Sequence, residues 1–494
     1  MYFNSIDFLI FFPIVVFGYF LIPKKVKYLW LLGASYYFYA CWNAKYAILI
    51  AVSTVVTYLS GLFLEKETQE KKKKLIMVLC FLVNLGILGF FKYFGFFLEN
   101  FNSILSVFHV QVVKNPFNLL LPVGISFYTF KALGYLVDVY RGNVKAEKNF
   151  FKYALFVSFF PQLVAGPIDR AGNLMPQIEE METKRLWNYD KIVSGLGLMV
   201  WGLFLKMVIA DRCAVFVDAV HEYLYAAGTV ETVAAAILFS IEIYCDFAGY
   251  SAIAIGAARV MGFTLVENFD TPYFATSIKD FWRRWHISLS TWFRDYVYIP
   301  LGGSRCSKAK KYRNVMITFL CSGLWHGASW NYVIWGGIHG IYQILGEVLM
   351  PVRKKITEVF HVRTDVFSFR LGQILITNGL TTFAWIFFRG GHLGHLALYF
   401  QRMFTKFNPW VLSASGLDYL KISLKDVALT PVFLLLLLVG DLIQYVKKQD
   451  VGEFLAKQNL WFRWVILLGL IFCVLIFGEY GITFSSKQFI YFQY

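Results

Sequence analysis

Three of the eight histidines in this 494-residue chain, His286, His326 and His339, fall between residues 281 and 340. The stretch reads FWRRWHISLSTWFRDYVYIPLGG, then a basic loop, then FLCSGLWHGASWNYVIWGGIHG. Imidazole is the side chain most easily poised to take or give a proton near neutral pH, so proton-transfer chemistry in this chain would sit here. His326 lies in an apolar run that begins at Val315. An ionisable group at that depth is costly and points to function, the alternative being a neutral imidazole hydrogen-bonded between helices. His286, in RRWHISLS, stands among charges that placement at a membrane interface would equally explain. His339 follows His326 by thirteen residues, close to a whole number of helical turns, and would share its face if one helix ran on through Gly336 and Gly337.

Other residue patterns narrow the chemistry. Glu242 and Asp246, one turn apart in IEIYCDFAGYS, would orient a histidine or line a polar path, or else hydrogen-bond to neighbouring helices. Ser126, Ser322 and Ser329 lie in no GxSxG turn, and the chain has neither a P-loop nor a dinucleotide fingerprint. The cysteines at 41, 80, 213, 245, 306, 321 and 473 form no CxxC pair, so neither a zinc site nor a disulfide framework is expected, and no metal. His109, His221, His361, His392 and His395 carry no signal.

The elements that must hold these residues are set by composition. Apolar residues make up 58% of the chain, phenylalanine alone occupies 51 positions, and mean hydropathy is +0.56, which implies burial in lipid. The net charge of +16 sits in short Lys and Arg clusters between apolar runs, a pattern of membrane topology and not of nucleic-acid binding. An all-α polytopic membrane protein with about eleven to thirteen membrane helices is expected. The apolar runs lie near 7–22, 28–42, 46–64, 75–97, 118–140, 150–168, 191–210, 230–260, 313–348, 371–388, 427–446 and 461–479.

Basic residues cluster at 23–27, 65–74 and 141–152, whereas the alternate loops at 43–45 and 98–117 carry only Lys45 and Lys114. This asymmetry predicts an external amino terminus and cytoplasmic basic loops. The loop with Lys447, Lys448, Lys457 and Arg463 is then cytoplasmic and the carboxyl terminus external. The opening MYFNSIDFLIFF has no Lys or Arg before its apolar run, so the first helix is expected to be retained. Pro161, Gly166 and Pro167 interrupt FFPQLVAGPIDR, which predicts a re-entrant or cavity-lining segment. Residues 279–300 read as an amphipathic helix at the interface or along a wet funnel.

Three blocks now carry a resemblance. CDFAGYSAIAIGAARVMGF (245–263), ENFDTPYFATSIKDFWRRWHISLSTWFRDYVYIPLGG (267–303) and SGLWHGASWNYVIWGGIHG (322–340) resemble the membrane-bound O-acyltransferase family. They are most similar to its bacterial branch acting on alginate and teichoic acid. PQLVAGPIDR (161–170), DFLIFF and KYLWLLGASYYFYACW fit the same branch, so the likeness runs through nearly the whole chain.

The resemblance implies one integral-membrane domain over 1–494, with a family core near 118–348, peripheral helices at 1–117 and 371–479, and an external tail at 480–494. It implies a ring-like bundle with a central funnel, a catalytic His326 and a supporting His286. Trp325, Asp246, Trp285, Ser322, Asn331 and His339 are the candidates for lining that funnel. It also implies an acyl group, acetyl first of all, moved from a cytoplasmic thioester (acetyl-CoA or an acyl carrier) toward an external polysaccharide. A membrane-anchored or secreted acetyl-esterase-like partner would assist, with no bound cofactor.

The terminal FIYFQY (489–494) resembles an aromatic motif of this branch, in which Tyr491 would relay the acyl group; the alternative is an aromatic anchor at the interface. Rival readings are D-alanyl transfer to teichoic acid, a protein acyltransferase, a non-catalytic scaffold, and a transporter of lipid-linked sugar. The transporter predicts inverted repeats, and none is visible in the sequence.

Overall fold

The computed structural model describes residues 1–117, 120–183, 187–412, 416–422 and 424–478; Tyr491 and the tail lie outside them. Among the described residues every regular element is helical. In chain order these are α1 (Ile6–Leu21), α2 (Lys27–Lys66), α3 (Glu70–Leu88), α4 (Phe94–Val107), α5 (Ile125–Tyr140), α6 (Phe150–Ser158), α7 (Phe160–Leu163) and α8 (Ala171–Glu180). Then follow α9 (Tyr189–Phe204), α10 (Asp211–Glu222), α11 (Thr229–Val260), α12 (Ile278–Arg284), α13 (Ile287–Phe293), α14 (Lys308–His326), α15 (Trp330–Val348), α16 (Met350–Val359) and α17 (Phe367–Arg389). The series closes with α18 (Leu393–Thr405), α19 (Leu424–Lys447), α20 (Val451–Ala456) and α21 (Leu460–Phe477). The chain forms two compact units, one of Met1–Leu196 with Ile253–Val266, the other of Gly197–Ala252 with Glu267–Tyr494.

Seven helices among the described residues are long and apolar enough to cross a bilayer, or eight if α15 and α16, bent by 48° at their junction, make one span. The protein is a multi-pass membrane protein. The count falls below the eleven to thirteen read from hydropathy because several apolar runs fold as helices too short to span. At 1.5 Å per residue, the 16 residues of α1 or α5 reach about 24 Å, less than the roughly 30 Å hydrocarbon core. The runs 28–42 and 46–64 are the two helical parts of α2, separated by extended backbone at Asn43 (φ −163°, ψ 109°), and α2 counts once among the seven. Burial along the spans agrees with lipid as solvent: 72% of the apolar window of α11 is buried, but only 6% of that of α21. α21 shows Trp461, Val465, Phe472 and Ile476 outward.

In the first unit the interrupted PQLVAGPIDR segment is covered by protein, as the sequence predicts. Its residues 161 to 169 are all buried. The chain turns at Gly124 (φ 74°), where a Cβ would stand 2.3 Å from the Leu163 carbonyl oxygen, so only glycine permits this approach. Lys131 donates to Gln162 Oε1 at 2.5 Å, giving a buried polar tie across the interruption.

In the second unit, the run 313–348 is a helical hairpin and not one helix. α14 ends at His326, Gly327 to Ser329 turn the chain, and α15 returns. The break lies in those three residues, while Gly336 and Gly337 continue the helix as a contact surface. A Cβ on Gly323 would fall 2.2 Å from the Tyr332 carbonyl oxygen, and one on Gly336 would fall 2.3 Å from that of Phe319. The two backbones therefore pack closer than any side chain allows, the small-residue contact usual between membrane helices.

Residues 279–300 also depart from the single amphipathic helix expected. They form α12 and α13, with a turn at Trp285 and His286, followed by a π-helical turn at Arg294–Tyr298. Phe281, Trp282, Trp285, Leu289, Trp292 and Phe293 are all buried, so the aromatic face is occupied by protein.

Candidate active site

Every described candidate residue belongs to the second unit. His326 is the last residue of α14 and is 5% exposed. Its ring meets Trp325 and Trp335 edge-on, each at a centroid distance of 5.0 Å, and Phe388 of α17 at 5.3 Å. The glycine contacts of the hairpin bring Trp335 to this position. Asn331, at the start of α15, donates to the Phe387 carbonyl at 3.2 Å and so ties α17 beside the same ring.

His286 is fully buried and sits in the turn from α12 to α13 with φ 42° and ψ 54°. The left-handed region costs a residue with a Cβ about 1–2 kcal/mol, so the surrounding structure must impose it. Its ring packs edge-on against Phe247 of α11 at 4.6 Å and against Trp325 at 5.9 Å. The His286 and His326 ring centroids lie 6.4 Å apart. The rings are too far apart to hydrogen-bond to each other and near enough to face one small group together. Trp325 contacts both.

The other candidates separate by role. Trp285 is buried in the aromatic wall, stacked on Phe281 at 5.4 Å and set against Trp385 at 4.9 Å. His339 is on α15, a different helix from His326, so the shared-face expectation does not hold. Its Nδ1 accepts a hydrogen bond from Trp282 Nε1 at 3.2 Å, which assigns the ring proton of the neutral form to Nε2. Trp335 touches both rings, at 5.0 Å from His339 and 5.0 Å from His326. His339 thus supports the wall behind His326. Ser322 is buried one turn before His326 on the same face of α14.

Asp246 does not orient a histidine through its strongest contact: it pairs with Lys206 at 2.6 Å, and Lys206 also meets Asp211 at 2.9 Å. Lys206 lies in the π-helical turn Leu205–Ala210, whose extra residue re-aims the side chain. The close approach is allowed by Gly249, where a Cβ would stand 2.7 Å from the Gly202 carbonyl oxygen. Asp246 contributes to the site indirectly, since the next residue, Phe247, is the one packed on His286.

Sequence reading missed Lys206 and Asp211, although a lysine inside LGLMVWGLFLKMVIAD is a visible anomaly in an apolar run. It also missed Asn268, Trp335, Trp385 and Phe388, which carry no local signature. Chemically, two buried imidazoles among aromatic rings suit abstraction of a proton from a weak neutral nucleophile in a place sheltered from water.

The model of the membrane-bound O-acyltransferase family matches residues 144–384, a range that contains both histidines and the aromatic residues up to Phe383. A peptidoglycan O-acetyltransferase from Helicobacter pylori is 37% identical over 415 residues, covering 78% of this chain and 76% of the relative. A probable alginate O-acetylase AlgI from Azotobacter vinelandii is 36% identical over 467 residues, 93% of this chain and 88% of the relative. A teichoic acid D-alanyltransferase from Bacillus subtilis is 32% identical over 248 residues, 47% of this chain and 60% of the relative.

Proposed function

The chain belongs to the membrane-bound O-acyltransferase family, and from that membership we propose that it transfers an acetyl group to hydroxyls of an extracytoplasmic polysaccharide. The observation that carries the reading is the pair of buried imidazoles, His326 and His286, with ring centroids 6.4 Å apart inside one aromatic wall. The names of the relatives support a polysaccharide acceptor and an acetyl group.

His326 acts as general base in this reading. It takes the proton from the acceptor hydroxyl as that oxygen attacks the acyl carbonyl carbon. When the tetrahedral intermediate collapses, the carbon–sulfur bond breaks and the imidazolium returns its proton to the departing thiolate. His286, held rigidly opposite, orients the reacting group or stabilises charge developing on it. The surrounding Trp325, Trp335 and Phe388 exclude water that would otherwise hydrolyse the acyl donor.

The donor in this proposal is a cytoplasmic thioester, acetyl-CoA or an acyl carrier, and a membrane-anchored or secreted acetyl-esterase-like partner completes delivery outside. Both termini face outward, following the lysine and arginine distribution. Deleting the gene should remove a base-labile acetyl signal from the NMR spectrum of surface polymers, and the wild-type gene should restore it. Unchanged polymer acetylation in the deletion strain would dispose of the reading.

Tyr491, outside the described residues, is proposed as an acyl relay on the outer side: its phenol is then the hydroxyl that first takes the acyl group from the thioester, and a polysaccharide hydroxyl attacks the resulting aryl ester and releases the phenol. A phenol with pKa near 10 makes an ester that keeps much of a thioester's transfer potential. Tyr491→Phe should abolish polymer acetylation with the protein still made, whereas full activity would leave the tail as an aromatic anchor.

A further inference from the structure

We propose that Asn268 is a positioning residue that holds His286 in its left-handed turn and so sets the distance between the two imidazoles. The inference rests on the reading of His286 as part of the active site. His286 carries φ 42°, a conformation that a histidine leaves unless both flanks are held. Rotating φ back to the helical or extended region would swing the ring away from Phe247 and out of the gap facing His326.

The flanks are held by the segment 268–270. The Asp270 N–H donates to the Arg284 carbonyl at 3.0 Å on one side of His286, and the Ile287 N–H donates to the Asn268 carbonyl at 2.9 Å on the other. The Asn268 side chain then ties this strap to two helices. Its Oδ1 accepts from the Ser288 hydroxyl at 2.6 Å, and its Nδ2 donates to Ser251 Oγ at 2.9 Å.

Ser288 lies two residues beyond His286 on α13. Ser251 lies on α11, one turn after Phe247, the ring packed against His286. One amide therefore couples the turn, the helix that follows it and the helix that backs the imidazole. Asn268 is 1% exposed, and Ser251 and Ser288 are 2% exposed each, so water does not replace either hydrogen bond when it is lost.

Asparagine suits this place because it offers a donor and an acceptor on one short planar group. Alanine removes both, and Ser288→Ala removes one. Serine to threonine at 288 keeps the hydroxyl. Partners that orient metal-bound histidines change activity by about 10- to 100-fold when removed, and by analogy a loss of that order is expected for the residue that orients His286.

The test is a double-mutant cycle in the full-length protein, expressed in the deletion strain, with the acetyl content of surface polymers read per molecule of membrane-inserted enzyme. Asn268→Ala and Ser288→Ala should each lower the initial rate, and Ser288→Thr should restore it. In a His286→Gln background, which removes the imidazole chemistry but keeps side-chain volume, Asn268→Ala should cause no further loss. An equal additional loss in that background would show that Asn268 acts on the fold at large and would overturn the proposal, as would full activity of Asn268→Ala. If Asn268→Ala fails to accumulate, Ser288→Ala with Ser288→Thr decides by the same criteria. Full activity of His286→Gln would instead refute the role of His286, a distinct failure that removes the premise.

Discussion

Replacing His326 with alanine is expected to lower acyl transfer by about 10²–10⁴-fold, the range that one positioned general base supplies. An acceptor hydroxyl holds its proton tightly at neutral pH, and the rings that enclose His326, Trp325, Trp335 and Phe388, have no basic atom to take it. The fold should persist, because the glycine contacts at Gly323 and Gly336 that set the hairpin do not involve the imidazole. The measurement is base-labile acetyl on surface polymers by NMR, normalised to the amount of enzyme in the membrane. Wild-type acetylation by His326→Ala would end the general-base assignment and favour a scaffold.

The second large effect is on stability. Lys206 is the cation between Asp211 and Asp246, with both side-chain contacts under 3 Å and all three residues buried. Removing one member of a buried ionic group leaves charge behind in a medium that solvates it poorly, with a loss of about 3–5 kcal/mol. Lys206→Met is expected to unfold earlier in a detergent melt, or to accumulate poorly, with activity lost because Phe247 follows Asp246 directly and backs His286. The double variant Lys206→Met with Asp246→Asn removes one of the orphaned charges and should recover part of the lost stability. If the single variant melts like the wild type, the triad contributes nothing to folding. If the double variant is no better than the single, uncompensated charge is not the cause.

Particular residues show how far the sequence could be read. His326 and His286 stand out because ionisable groups are conspicuous in apolar surroundings and because the LWHG and RRWHISLS settings resemble a family. His339, a candidate for lining the funnel, would share the face of His326 only if one helix ran on between them, and a three-residue turn puts it on another helix, where Trp282 fixes its Nδ1. Asp246 was legible as a buried acid but not its partner, because Lys206 lies forty residues away on a π-helical turn that no periodicity announces. Asn268 was invisible, since an asparagine in a loop has many ordinary uses.

Composition and hydropathy alone determined that this is an all-α protein in lipid, because its apolar runs are long and continuous, as membrane helices require, and lack the short alternating pattern of the other spanning structure, a closed barrel. The long motifs determined the family and singled out His326 and His286 as the candidate imidazoles. Only the tertiary structure decided which apolar runs become full spans, where the helix carrying His326 stops, and which rings enclose it. These depend on contacts between residues far apart in the chain: a glycine that admits a neighbouring carbonyl, a lysine that reaches two acids, an amide that pins a strained turn. Local propensity contains none of that information, because each such contact is set by the shape of an element the sequence reaches only later.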